Sequence, residues 1–539
     1  MKNRSRTEYS VLNIIAGVGG YIVNTILGFI CRMVFVKCLA ADYLGVNGLF
    51  TNILSMLSLA ELGIGGAIIY ALYKPLAEHD DEKIASLVKV YGTAYRIIGI
   101  VIGIIGICLM PFLNFIITKP PHITESIYVL YMINLFNTVI TYFYSYRSSL
   151  LIAAQQNYIV VGINYIITIL QSIFQMVALV ITRNYMVYIA IQTLGTIIYN
   201  LIVSYTAQRR FPCINNKNIE SLPENERKSL FKDIRDLTFY KISGLLVNST
   251  DNILITFFRG LATTGIASNY TLLVNTINSL LGQVFNSLTA SIGNHNAIES
   301  EEKKYQMFGF MNMMNFWIFG WATLGIIFCS SDIVQLCFGT EYVLPIKIPM
   351  VIALNFYTVG MMNAVWTYKH TLGLFKYGRF LQIITGILNI IFSVYLGRKW
   401  GLFGILFATF MARILTNLWY DPYAVYTHGF HKSVIQYFKK YIYYIIVLGM
   451  AAILCYVSFK LIVGPLVLRI LIKMVVCSVI TNIVFFMSKE FNFEEIKNKA
   501  LEQLKFGKSL LGKDGAFAPL LESILNAALQ GEMDVHMDD

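Results

Sequence analysis

Charge is scarce in this chain. Asp, Glu, Lys and Arg make up only 13% of its 539 residues, about half of what a soluble domain carries. Too few charged side chains are present to clothe a water-soluble surface. The eight cysteines, Cys31, Cys38, Cys108, Cys213, Cys329, Cys337, Cys455 and Cys477, form no CxxC pair and lie mostly in apolar runs, which argues against a zinc site and a disulfide framework. The seven histidines form no HExxH, and His428 and His431 flank a loop, so no metal site is expected. No cleavable signal peptide is evident: Lys2, Arg4 and Arg6 precede an apolar run too long for an h-region, which reads as a retained span. Long hydrophilic stretches are missing too. The connections assigned below to the outer side are too short for the catalytic loop of a membrane polymerase or ligase, and no catalytic residue is expected.

Apolar length takes their place. Hydrophobic residues account for 56% of the chain and the mean hydropathy is +0.62. Fourteen apolar runs follow one another, at 11–36, 44–73, 84–117, 126–152, 158–182, 184–206, 238–258, 266–293, 305–337, 344–368, 377–397, 401–426, 441–463 and 465–488. About 20 apolar residues span a bilayer as a helix, so the expected fold is all-α: a polytopic integral membrane protein of about 14 transmembrane helices. The net charge of +12 would point to nucleic acid in a soluble protein. Here the basic residues gather in short connections, as the positive-inside rule describes, and no nucleic-acid partner is expected. Placing the stretch 207–237, with Arg209, Arg210, Lys217, Arg227, Lys228, Lys232 and Arg235, in the cytoplasm puts both termini there as well.

The two halves of the chain resemble each other. Lys37 to Ala40 aligns with Arg259 to Ala262, and Asn47 with Asn269, at an offset of 222. Glu78 to Lys83 aligns with Glu299 to Lys304 at 221, and Tyr158 with Tyr377 at 219. Three agreeing offsets predict a parallel duplication of six helices. The expected division is an N-terminal six-helix lobe at 1–206, a cytoplasmic linker at 207–237, a pseudo-symmetric C-terminal six-helix lobe at 238–426, two extra helices at 427–490 and a cytoplasmic tail at 491–539.

Polar stripes mark the first two helices of each half. Asn13, Gly17, Gly20, Asn24, Gly28 and Arg32 share a face of the first; Asn47, Thr51, Ser55, Ser58, Glu61 and Gly65 do so in the second. Lys241, Gly244, Asn248, Asp251 and Asn252 occupy one side of the seventh, and Asn275, Asn278, Gly282, Asn286, Thr289 and Gly293 one face of the eighth. Close helix packing enriches the same residue types. The recurrence of the stripes at equivalent places favours the walls of a polar cavity, which points to transport. Among the intramembrane charges, Glu61, Asp251 and Arg413 lie deep in their runs, where a charge needs a partner or a cavity. Arg32 is open to snorkelling at the outer interface, Lys241 to anchoring at the inner one, and Arg147 is placed near the cytoplasmic surface. Arg469 and Lys473 lie one turn apart in the last helix, packed against the core or facing lipid headgroups. Several cations beside few deep carboxylates suit an anionic substrate, since Arg pairs bidentately with phosphate.

The stretch from Tyr43-Leu-Gly-Val-Asn-Gly to Ala-Glu61-Leu-Gly-Ile-Gly-Gly-Ala67, running on to Tyr73-Lys-Pro75, resembles bacterial polysaccharide repeat-unit flippases. These are the Wzx-type members of the multidrug/oligosaccharidyl-lipid/polysaccharide exporter superfamily. Thr250-Asp-Asn-Ile-Leu-Ile255, Trp400-Gly-Leu-Phe-Gly404 and Trp419-Tyr-Asp-Pro422 support the resemblance over roughly 10–490. It implies translocation of undecaprenyl-diphosphate-linked oligosaccharide across the cytoplasmic membrane by alternating access. The implied partners are that lipid-linked oligosaccharide, membrane lipids, a polysaccharide polymerase and glycosyltransferases. No cofactor is implied beyond coupling to H+ or Na+. The candidate substrate-binding residues are Arg32, Glu61, Lys241, Asn248, Asp251, Asn278, Asn286 and Arg413, of which the resemblance carries Arg32, Lys241 and Asp251. The alternatives are a drug/cation antiporter or lipid II flippase of the same superfamily, then a membrane polymerase or ligase. From about residue 506 the tail, with Leu511-Gly-Lys-Asp-Gly-Ala-Phe-Ala-Pro-Leu-Leu521, resembles the N-terminal region of Mutator-type insertion-sequence transposases, as a fusion would leave it. An ordinary amphipathic tail is the alternative.

Overall fold

A computed structural model describes residues 6–58, 64–119, 121–215, 250–298, 300–374, 377–378, 380–462 and 464–487. Side chains at 6–19, 21–22, 64–67, 70, 283–284, 286–291 and 293–298 lie outside that description. Every element longer than a turn is helical: α1 (Arg6–Cys38), α2 (Ala41–Leu57), α3 (Ile64–Ala77), α4 (Asp81–Leu109), α5 (Ile127–Tyr142), α6 (Ser145–Ala153), α7 (Asn157–Thr182), α8 (Tyr185–Arg210), α9 (Asp251–Arg259), α10 (Leu261–Ile298), α11 (Glu301–Phe338), α12 (Lys347–Thr371), α13 (Leu381–Trp400), α14 (Leu402–Leu415), α15 (Asn417–His428), α16 (Ile435–Phe459) and α17 (Leu466–Met487). In hydrocarbon a backbone must satisfy its own hydrogen bonds, and an apolar chain does so by coiling. Polar residues stop the coils between spans. Asp80 accepts from Lys83 N at 2.9 Å to start α4, and Asn184 accepts from Met186 N at 2.8 Å to start α8.

Among the described residues nine helices are long and apolar enough to cross a membrane, or ten if α5 and α6, bent by 43°, form one span. The ten match ten of the fourteen expected runs, with α14 and α15 making a single span. The other four are the striped ones. Neither α1 nor α10 is among the nine, although they run for 33 and 38 residues; most of the α1 side chains before Val23 lie outside the description. The second run comprises α2 and α3 on either side of 59–63, and the seventh is described from Asp251 onward.

The exposed faces are oily. On α4, Ile97, Ile100, Ile104 and Ile107 project outward, and on α17 Leu468, Leu471, Val475, Val479 and Ile483 do so. Such stripes on many helices exceed what a water-soluble surface tolerates. Gln175, Asn200, Asn312, Asn315, Thr385 and Asn389 are buried instead. The chain is therefore a multi-pass membrane protein.

Packing divides the chain into two compact units. Unit 1 comprises 1–268 with 393–405, and unit 2 comprises 269–392 with 406–539. In unit 1, α1 packs on α7, α7 on α8, and α4 on α5. In unit 2, α11 packs on α12 and α17, and α16 pairs with α17. The helix starts Ala41 and Leu261, Asp81 and Glu301, and Ile127 and Lys347 each stand 220 positions apart.

Within unit 1, α2 meets the first turn of α10 backbone to backbone. A Cβ on Gly45 would overlap the carbonyl oxygen of Leu261, and one on Gly265 would overlap that of Ala41. The contact is reciprocal at the repeat offset, because Gly45 and Gly265 also stand 220 apart. Alanine at Gly45 or Gly265 must push backbone aside, at a cost of about 1–3 kcal/mol. Alanine at Gly162 of α7 meets nothing within 4 Å and is expected to gain about 0.5–1 kcal/mol of helix propensity. Thermal unfolding of purified Gly45→Ala, Gly265→Ala and Gly162→Ala, followed by size-exclusion chromatography, should therefore show opposite signs.

Candidate functional site

Arg32 lies two turns before the end of α1, on the face that also carries Asn24 and Gly28. Its guanidinium donates from Nη2 to Ser268 Oγ on α10, and Ser268 donates to Gly265 O at 2.6 Å. Unit 1 thus turns Arg32 toward a protein hydroxyl. Aromatic rings back the same region. Phe35 meets Tyr185 and Tyr188 edge-on at 5.8 and 5.1 Å, and Tyr185 stacks on Tyr188. Tyr43 packs on Tyr185 and donates to Glu125 Oε2.

Asp251 opens α9 and is half-buried. A carboxylate in the first turn interacts favourably with the helix dipole. Its neighbour Asn252 places its amide nitrogen 3.6 Å from a Cβ position on Gly48, and Thr256 and Thr264 share a hydrogen bond of 2.9 Å across the turn from α9 to α10. Glu61, Lys241 and Asn248 lie outside the described residues, as does the side chain of Asn286.

Unit 2 holds Asn278, half-buried on α10, and Arg413, half-buried on α14. Arg413 donates to Asn355 Oδ1 at 3.4 Å. The Asn355 amide donates in turn to Leu406 O at 2.8 Å and Val351 O at 3.1 Å, which turns its oxygen toward the guanidinium. The helix breaks one turn beyond Arg413, where Thr416 adopts φ −128° and ψ −92°. Buried hydroxyls hold the break: Thr416 Oγ1 donates to Ala412 O at 2.7 Å and meets Thr385 Oγ1 at 2.8 Å.

Two carboxylates escape a reading based on depth within apolar runs. Asp421, on α15 beyond the break, is buried and accepts from Lys369 Nζ at 2.5 Å and from Trp366 Nε1 at 3.0 Å. Its sequence signal was the Trp419-Tyr-Asp-Pro422 cluster, which holds a charge inside an apolar run. Asp332 on α11 accepts from both Arg469 and Lys473 of α17. The cation pair one turn apart was visible in the sequence, but nothing local names its partner. Arg147, expected near the cytoplasmic surface, sits on α6 with Nη1 against buried Ser204 of α8. Gln208 Oε1 accepts from its Nη1 and Nη2 at 3.1 and 3.0 Å once the amide is turned to suit.

No protein-family model matches the sequence, and no curated protein does. Solved structures match in fold. The lipid II flippase MurJ in an inward closed conformation aligns with a TM-score of 0.64 at 14% identity, over 90% of this chain and 99% of that one. An inward-facing multidrug resistance MATE family transporter of the MOP superfamily aligns at 0.54 and 16% identity, over 74% of this chain and 94% of that one. A mutant MATE transporter of Vibrio cholerae aligns at 0.54 and 10% identity, over 79% and 98%. At these identities the likeness is one of fold alone.

The Lys369–Asp421 pair anchors α15, beyond the break, to α12. Asp421→Asn leaves Lys369 with no carboxylate in a largely buried place, at a cost of about 3–5 kcal/mol. The double variant Lys369→Met, Asp421→Leu removes both charges and is expected to recover most of that loss. Thermal unfolding of the single and double variants checks this; equal destabilisation by both would show that the charges contribute nothing.

Proposed function

We propose that this protein is a flippase that moves undecaprenyl-diphosphate-linked oligosaccharide repeat units across the bacterial cytoplasmic membrane by alternating access, with both termini in the cytoplasm. It would supply cell-surface polysaccharide biosynthesis, receiving its cargo from glycosyltransferases and passing it to a polymerase. The observation that carries the reading is coverage. The fold likeness to a lipid-carrier flippase extends over 90% of this chain, against 74% and 79% for the multidrug transporters. The chemistry of the candidate residues agrees. Arg32 and Arg413 lie in membrane helices and hydrogen-bond to neutral oxygens, Ser268 and Asn355. A diphosphate is a ligand with which Arg pairs bidentately.

Glu61, Lys241, Asn248, Asp251, Asn278 and Asn286 complete the proposed substrate-contacting set. The amides offer donors and acceptors to sugar hydroxyls, whereas Asp251 and Glu61 are the groups through which H+ or Na+ would couple. A lipid II flippase is the second reading, favoured by the same structural likeness. A drug/cation antiporter would prefer acidic groups to Arg32 and Arg413.

Complementation tests the reading. In a strain lacking its repeat-unit flippase, the full chain should restore surface polysaccharide and clear unpolymerised lipid-linked units from the cytoplasmic face. Arg32→Glu and Arg413→Glu should each lower that restoration at least about tenfold, the effect of losing one charge-assisted contact. Undiminished activity in both charge-reversed variants would support a cation antiporter instead. Rescue of a lipid II flippase deficiency alone would establish the second reading. Accumulation of repeat units on the outer face in a deletion strain would indicate a polymerase.

A further inference from the structure

The last helix carries a cation pair that its carboxylate partner only half neutralises. Arg469 is the fourth residue of α17, and Lys473 follows one turn later on the same face. Both reach Asp332 of α11: Arg469 Nη2 lies 2.8 Å from Oδ1 and Lys473 Nζ 2.5 Å from Oδ2. Gln335 Oε1 also accepts from Arg469 Nη2, at 3.4 Å. Arg469 Nε is buried and has no hydrogen-bond partner. Lys473 lies over the Phe459 ring at 5.8 Å, a contact that stabilises positive charge. Asp332 stands about two turns from the end of α11 and Arg469 about one turn from the start of α17. The cluster is therefore near one end of unit 2, at headgroup depth rather than at the bilayer midplane.

A structural staple between α11 and α17 needs one cation for one carboxylate. Such staples already exist along the same seam, where Trp317 Nε1 donates to Asn482 at 2.6 Å and Trp321 Nε1 to Ser478 at 3.0 Å. The ion cluster adds a second cation. It spends one guanidinium nitrogen on both protein acceptors and leaves a buried N–H unpaired, which is unfavourable for the protein alone. About a third of the Arg469 side chain stays exposed. We infer that Arg469 and Lys473, held by Asp332, form a binding site for the phosphate oxyanion of a lipid. A phosphate supplies the missing negative charge and acceptor oxygens for the free side of the guanidinium fork. The site takes a lipid phosphate rather than a soluble one because its approach is flanked by the oily face of α17, with Leu468 and Leu471 exposed beside it. In the proposed orientation this is the outer end of the bundle. The inference does not rest on the flippase reading, since any anionic lipid would satisfy it.

The test reads lipid retention, not transport. The full chain in detergent is titrated with phosphatidylglycerol, phosphatidylcholine or undecaprenyl diphosphate, and bound lipid is counted by native mass spectrometry. Wild type should retain phosphatidylglycerol over phosphatidylcholine, which has the same phosphodiester but no net charge. Arg469→Gln and Lys473→Met should each weaken that retention roughly tenfold, and Lys473→Arg should preserve it. Asp332→Asn, which removes the competing carboxylate, should hold phosphatidylglycerol at least as well as wild type. Displacement of phosphatidylglycerol by undecaprenyl diphosphate in wild type, but not in Arg469→Gln, would identify the carrier lipid as the source; no displacement would identify bulk phospholipid. The inference is overturned if folded Arg469→Gln or Lys473→Met keeps the wild-type preference, or if Asp332→Asn loses the preference while still folded.

Discussion

Two carbonyl oxygens, those of Ala41 and Leu261, set a backbone-to-backbone approach in unit 1. Each faces a glycine of the other helix, Gly265 and Gly45, so that α2 and α10 meet without side chains between them. Inside a bilayer the hydrophobic effect does not draw helices together, because lipid is as apolar as leucine. Contact must come from van der Waals packing at short range and from polar groups that have nowhere else to go. The glycine crossing supplies the first. Ser268, one turn beyond Gly265, supplies the second by receiving Arg32. A bulkier residue at either glycine would lift α10 away from α2 and take the acceptor of Arg32 with it. The candidate cation is thus positioned by the backbone approach beside it.

The same constraint sorts residues elsewhere. Unit 2 buries Thr385, Asn389, Thr409, Thr416 and Asn417, and hydrogen-bonds them to one another across α13, α14 and α15. A water-soluble protein would bury leucine there. In lipid, hydroxyls and amides cost little once paired and give the break at Thr416 a defined shape. The apolar side chains freed from the core go to the surface, as Ile97, Ile100, Ile104 and Ile107 show on α4. Arg32 and its acceptor Ser268 lie on α1 and α10.

Much of this was legible in the sequence, because bilayer thickness and helix rise fix run length. The runs 158–182, 184–206 and 465–488 became Asn157–Thr182, Tyr185–Arg210 and Leu466–Met487. Three short sequence matches predict a duplication at an offset near 220, and three pairs of helix starts stand 220 positions apart. The bends at Phe143 and Thr416 were not legible, since a kink in an apolar run leaves hydropathy unchanged. Asp332 and Asp421 were missed for a related reason. Depth in a run identifies a charge that needs a partner only when the partner's place is known, and Arg469 is 137 residues from Asp332. Of the candidate site, the sequence supplied Arg32 and Arg413 as residues but neither Ser268 nor Asn355 as acceptors.

The duplicated architecture also carries an asymmetry of charge. Near the end of the fourth membrane run of each half stands a cation, Arg147 in unit 1 and Lys369 in unit 2, and each reaches a residue of the sixth run of its own half. Lys369 finds a carboxylate, Asp421. Arg147 finds a hydroxyl and an amide, Ser204 and Gln208, with the Tyr146 ring 5.3 Å away. The first arrangement is a neutral pair and the second keeps a whole positive charge among neutral groups. Desolvation penalises such a charge unless it stays near water or meets an anion. The two halves thus differ here, one with a closed ion pair and the other with a cation held by uncharged groups. The Lys369 position is thus closed by a carboxylate and the Arg147 position by a hydroxyl and an amide.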